Sequence, residues 1–203
     1  MSSAVSAYEL LRSARQAAYT LPQGFAGFEA DLAFYDRGWH AGRVRARGQE
    51  VEVALPEGLK TWPQKELASM LAHRAPRPFE EAEGRYSLRV VEESPFGVAI
   101  ALDDPLRSVV WVREGQVVLV ERNPGEVRFR IHVQSHLPAG ERRLPHHFTV
   151  VYRRGELLEA VESYADTYLQ VGEVWLPKSR EVLRQDAQGL VYRAFRLEGH
   201  ALL

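Results

Sequence analysis

The run RSVVWVREGQVVLVERNPGEVRFRIHVQS, residues 107–135, decides the fold. Three short stretches rich in Val and Ile are separated by Glu114-Gly115 and by Asn123-Pro124-Gly125, and both separators are turn signals. In the last stretch Arg128, Arg130 and His132 alternate with Val127, Phe129 and Ile131, a two-residue period that belongs to strands and not to helices. This segment reads as antiparallel strands joined by tight turns.

The same pattern continues on both sides. From Gly84 to the C-terminus one short extended run follows another, among them RYSLRVVE, FGVAIALD, HHFTVVYRR, LLEAVESYAD, YLQVGEVWLP, REVLRQD and LVYRAFRLEG. Near the N-terminus FAGFEADLAFYD and HAGRVRARGQEVEVAL alternate as well, with Arg43, Arg45 and Arg47 on one face and Val44 and Ala46 on the other. Two helices stand out from this background. Ser6 and Glu9 form a capping box for a helix over residues 6–19, ended by Pro22. Thr61 and Gln64 have the same spacing, with Pro63 tolerable in a first turn, Leu67, Met70 and Leu71 as a buried stripe, and Pro76 restricting Ala75 at the end. The expectation is a mainly β (α+β) single domain over 1–203: one strongly curved antiparallel sheet or half-barrel with two helices packed on its concave face.

A chain of 203 residues buries enough surface to fold without staples, and it has no Cys. That removes thiolate nucleophiles, CxxC redox chemistry and Cys-ligated zinc, and fits a reducing compartment. The N-terminal MSSAVSAYELLRSARQAAYT has no apolar core behind basic residues, so no signal peptide is read there, and no apolar run reaches membrane-spanning length. The expected location is the cytoplasm. With 26 basic and 27 acidic residues spread along the chain, no global field draws nucleic acid, and none is expected as a partner.

The candidate functional residues each have a plainer reading beside them. His73-Arg74, at the end of the second helix, complements the partial negative charge of its last carbonyl groups, and would also suit an anionic group at a pocket mouth. His132, His136, His146 and His147 gather near one hairpin but do not converge as metal ligands should, so no metal is expected. Asp103 and Asp104 read as a turn, and Glu159 falls on the opposite strand face from Glu162 and Asp166, so paired-carboxylate hydrolysis finds no support. The arginine stripes read as solvated sheet faces. Phe25, Phe28, Phe34, Tyr35 and Trp39 cluster in the first β region, with Trp62 opening the second helix and Phe79 and Tyr86 following it. Most belong to a core, yet a curved sheet closed by a Trp-bearing helix also makes an apolar cavity. The dinucleotide, P-loop, nucleophile-elbow and zincin motifs are missing, and no cofactor is expected.

The order of AYELLRSARQAAYTLP, GFAGFEADL, a G-x-V strand, a helix ending LAHR and then ESYADTYLQVGEVWLPK resembles a domain-of-unknown-function family of about this length, best represented in cyanobacteria. The similarity is sharpest at Phe25, Gly27, Phe28, Ala30 and Asp31, at His73-Arg74, and at Tyr164, Asp166, Tyr168 and Gly172. It implies a soluble protein with no assigned reaction and carries over no catalytic residue; His146-His147 is not part of the pattern. The strand-helix-strand order is also similar to the half-barrel of periplasmic lipoprotein carriers.

The sequence thus leads to a non-catalytic binder of an apolar or amphipathic small molecule. Phe28, Trp39, Trp62, Met70 and Tyr86 would line the cavity, with His73 and Arg74 at its mouth. Two other readings stay open: a protein-interaction or assembly module using a strand edge or the arginine face, and an enzyme with His73 as general base oriented by Asp31 or Asp166.

Overall fold

The computed structural model describes residues 5–203. The opening stretch is strand throughout: β6 (Val109–Arg113), β7 (Gln116–Arg122) and β8 (Val127–Val133). Glu114 and Gly115 between the first two both have positive φ, 52° and 72°, which is the turn whose twist matches a two-residue hairpin. Before them lie α1 (Ala7–Gln16), β1 (Phe28–Tyr35), β2 (Trp39–Arg47), β3 (Glu50–Ala54), α2 (Thr61–Ala72), β4 (Leu88–Ser94) and β5 (Gly97–Leu102). After them come β9 (His136–Ala139), β10 (Arg142–Pro145), β11 (His147–Arg154), β12 (Leu157–Val171), β13 (Val174–Asp186) and β14 (Gly189–Leu202). Twelve strands form one open antiparallel sheet in the order β3-β2-β1-β14-β13-β12-β11-β8-β7-β6-β5-β4, and β9 and β10 pair separately. The mainly β architecture with two helices is the one expected.

The chain divides into two compact units: residues 5–19, 77–163 and 184–189 make the first, and 20–76, 164–183 and 190–203 the second. In the first, α1 lies against β4, β6 and β7. Leu11 and Ala14 of α1 are buried with Phe79, Ile100, Leu102, Val110, Val112 and Val120, and Tyr8 meets the Phe79 ring edge-on at 5.1 Å. Polar anchors hold the same helix: Arg15 places both arms of its guanidinium on the Glu83 carboxylate, each at 2.6 Å. Arg122 lies 3.6 Å from that carboxylate and 3.5 Å from Asp104, which in turn accepts from the Ser108 amide at 2.7 Å and from its hydroxyl at 2.6 Å. The turn read at Asp103-Asp104 is therefore tied shut by its own side chain.

In the second unit β1 is the organising strand. Phe28, Ala30, Leu32 and Phe34 are buried on one face, while Glu29, Asp31, Ala33 and Tyr35 alternate with them on the other. Gly27, just before it, has φ 134° and packs so closely on β2 that a Cβ there would lie 2.0 Å from the Ala46 carbonyl oxygen. Only glycine fits that approach. The arginine stripe of β2 is a solvated face as read: Arg45 is registered between Glu29 and Glu52, and Arg43 meets Asp31 at 2.8 Å.

Several sequence expectations shift. The first helix ends at Gln16 and not near residue 19, because Ala17 and Tyr19 instead exchange backbone hydrogen bonds with Arg143 of β10. Its Ser6 cap is present, accepting from the Glu9 amide at 3.2 Å. The second capping box does not form: Thr61 is already helical, and the cap position is Lys60, in a helical conformation with no side-chain capping bond. The short runs after residue 157 merge into three long strands, since nothing between Ala165 and Thr167 demands a positive φ and the flanking Tyr and Thr residues favour extended backbone.

Two outcomes follow. Gly27→Ala should destabilise the protein by roughly 2–4 kcal/mol in urea denaturation, through combined clash and backbone strain. Burial alone would raise the Glu83 pKa, but Arg15 and then Arg122 hold it below the usual 4.5. Glu83 thus contributes stability that is fully present above pH 4.5 and lost as pH falls through the folded value. Glu83→Gln should flatten that acid limb in a series of thermal melts.

Candidate functional site

The second helix brings three different chemistries onto one stripe. Trp62, Glu66 and Met70 are spaced i, i+4, i+8, so they stack on the same side of α2, with Leu67 and Leu71 beside them. Trp62 stacks on Phe34 of β1 at 5.6 Å and meets Phe195 of β14 edge-on at 6.4 Å. Phe34, Phe195, Leu197 and Leu176 are all essentially inaccessible to solvent, and so are Leu67, Met70 and Leu71 on the helix. Little in the chain itself holds α2: it has no side-chain cap and no acidic residue in its first turn. A twelve-residue helix of this kind depends on tertiary contacts.

One turn beyond Trp62, Glu66 reaches a buried cation. Arg180 of β13 is 5 % exposed and Asp166 of β12 is 2 % exposed. Arg180 donates through Nε and Nη2 to the two Asp166 oxygens at 2.8 and 2.7 Å, and through Nη1 to Glu66 at 2.7 Å. The Tyr164 ring lies under the guanidinium, 4.9 Å from its centre. Burial would lower the Arg180 pKa, but the hydrogen bonds and charge of Asp166, and then the charge of Glu66, more than offset it, and the guanidinium stays charged. Burial first and the Asp166 charge second push the Tyr168 hydroxyl well above the usual phenol range, against the opposing pull of Arg74 and Arg180. The cluster therefore has two cations, Arg74 and Arg180, and two carboxylates acting in one region of the second unit.

The residues picked from sequence fall in different places. Phe28 is buried on β1, stacked on the His200 ring at 5.5 Å, and Trp62 and Met70 belong to the stripe just described. Arg74 is half-buried and acts on Tyr168, while His73 is exposed at the helix terminus, its Nδ1 3.4 Å from Ser69 Oγ. Trp39 does not join them. It pairs with Tyr35 on the opposite face of β1–β2 and is 50 % exposed, with Arg196 over its ring at 4.9 Å. Tyr86 belongs to the first unit, where Arg85 donates to its hydroxyl at 2.5 Å. The two residues central to the cluster, Arg180 and Glu66, were not singled out. Glu66 had a legible signal: a carboxylate on a buried stripe between Trp62 and Met70 calls for a buried cation.

Other candidates give way to ordinary roles. Asp31 faces away from α2 and is engaged by Arg43, and both Asp166 oxygens accept from Arg180. His146 and His147 lie ring to ring at 3.8 Å, with Ser135 against His147, and among the described residues no three His, Asp or Glu side chains gather as a metal cage. A cleft of about 520 Å³ opens beside the start of α2, lined by polar groups such as Glu50, Lys60, Gln64 and Lys65.

Fold and cluster together define an open antiparallel β-sheet protein with a helix clamped over a buried arginine. The chain belongs to the DUF3386 family, described as proteins of unknown function, whose model matches residues 2–203. No curated protein matches it in sequence. Among solved structures, a LolA superfamily protein, NE2245 from Nitrosomonas europaea, is similar at 14 % identity and a TM-score of 0.36, covering 98 % of this chain and 94 % of that one. Among the described residues no helix is long and apolar enough to cross a membrane.

Removing one partner of the buried pair strands the other in a dry site. Asp166→Ala should cost about 3–5 kcal/mol of stability in urea denaturation, far more than removal of an exposed partner such as Glu126.

Proposed function

We propose that this protein is a non-catalytic binder of an apolar or amphipathic small molecule, taken up on the inner face of the second unit where α2 now lies. The observation that carries the reading is the surface beneath Trp62: Phe34 and Phe195, with Leu32 and Leu197 registered beside them on the same buried face, covered by a helix with no side-chain cap at its start. The magnitudes are compatible with exchange. Four helix side chains of this size are worth roughly 6–12 kcal/mol when buried, and a twelve-carbon chain about 9 kcal/mol. Helix and ligand can compete for one surface.

Phe28 and Phe34 are on the β1 face that the ligand would use, Trp62 and Met70 belong to the helix it would displace, and Arg74 and His73 are where that helix ends; Trp39 faces the other way and has no part in it. A His73-based reaction has little to recommend it, since Asp166 is committed to Arg180 and Asp31 lies on the far side of the strand. Docking of a partner on the β4 edge is disfavoured as well. The β4 edge exposes Val90 and Val91 but is interrupted by a bulge and flanked by Arg89, Glu92 and Glu93, the usual protection against strand addition.

Native mass spectrometry of protein purified without detergent from the cells that make it should find an excess mass, released as a small apolar or amphipathic compound by organic solvent. The bare chain alone, together with no uptake of any long-chain probe added to it, would overturn the reading.

A further inference from the structure

We infer that the bound molecule carries a carboxylate at one end of an apolar chain, and that this carboxylate takes the place of Glu66 on Arg180 Nη1. The inference rests on the proposed binding reading and gives it a ligand class. Among the hydrogen bonds of Arg180, those from Nε and Nη2 go to Asp166 on the neighbouring strand and one from Nη1 goes to Glu66 on the helix. The sheet-borne anion stays when the helix moves. The helix-borne one leaves with it.

Because Glu66 follows Trp62 by one helical turn, about 5.4 Å along the axis, the two side chains depart together. Their departure uncovers Phe34 and Phe195 and, beside them, one edge of a guanidinium. A fatty-acid-like molecule restores both losses at once, its chain against the rings and its carboxylate on the arginine. The charge count in the site is unchanged by the swap, so the ligand's carboxylate meets a partner that already balances one carboxylate in the same seat. A neutral amphiphile of equal length would fill the apolar wall without replacing the Glu66 carboxylate, which should weaken binding about tenfold to a hundredfold.

The test is calorimetric titration of the full chain, and of Glu66→Gln, with laurate and with dodecanol, which share a chain length and differ in charge. Glu66→Gln keeps the shape of the side chain and leaves Arg180 with Asp166, so it should fold. Wild type should bind laurate at least about tenfold tighter than dodecanol, and Glu66→Gln should bind laurate about tenfold tighter again, because the competing anion is gone. Equal binding of the two would overturn the carboxylate inference and leave the apolar reading standing. A laurate affinity that Glu66→Gln leaves unchanged would mean that Glu66 and the ligand do not compete for Arg180, and would also overturn it. If neither compound bound, both readings would fall.

Discussion

A guanidinium removed from water must take its counter-ions with it, and the second unit is arranged around that requirement. Arg180 is buried on β13 with Asp166 of β12 beside it, and a further carboxylate reaches it from α2. That second contact sets where the helix lies and which side it presents in this structure. With Glu66 committed, Trp62 and Met70 on the same stripe are committed too, and the stacking on Phe34 follows. Such a cluster contributes little net stability against a well-packed apolar alternative. What it does provide is a single register for the helix and a charged point in an otherwise oily surface.

The first unit solves a similar problem with less at stake. Arg15, Glu83, Arg122, Asp104 and Ser108 form a chain of contacts that tie α1 to the 3₁₀ turn Glu83–Arg85 and to the closed turn before β6, but Arg15 and Arg122 keep part of their surface in water. On the outer sheet face the ion pairs are exposed, as for Arg43 with Asp31, and are worth little individually. Burial separates an arginine that dictates packing from one that decorates a surface.

Much of the architecture was legible because period-two patterning and turn chemistry act locally. Glu114-Gly115 makes its turn wherever it is placed, and Ser6 caps α1 through a neighbour three residues away. The failures are equally local in origin. Thr61 and Gln64 have the spacing of a capping box, but the helix starts one residue sooner, and the end of α1 yields to β10, a partner more than a hundred residues distant in sequence. For the site, Trp62, Met70 and Arg74 were legible as members of a helix stripe and its terminus. Trp39 was misplaced because hydrophobicity alone does not tell which face of a strand turns inward when both faces carry aromatic residues, as Phe34 and Tyr35 do side by side.

By itself the sequence determined the mainly β content and the two helices, the solvated arginine stripe of β2, and the absence of cysteine chemistry, each of which depends on neighbours within a few residues or on composition. Only the tertiary structure decided that one arginine among 23 is buried, that Glu66 and Asp166, a hundred residues apart, share it, and that Trp62 closes over Phe34 and Phe195. The physical reason is that a side chain's charge is written in the sequence, whereas the dielectric around it is set by every element packed against it.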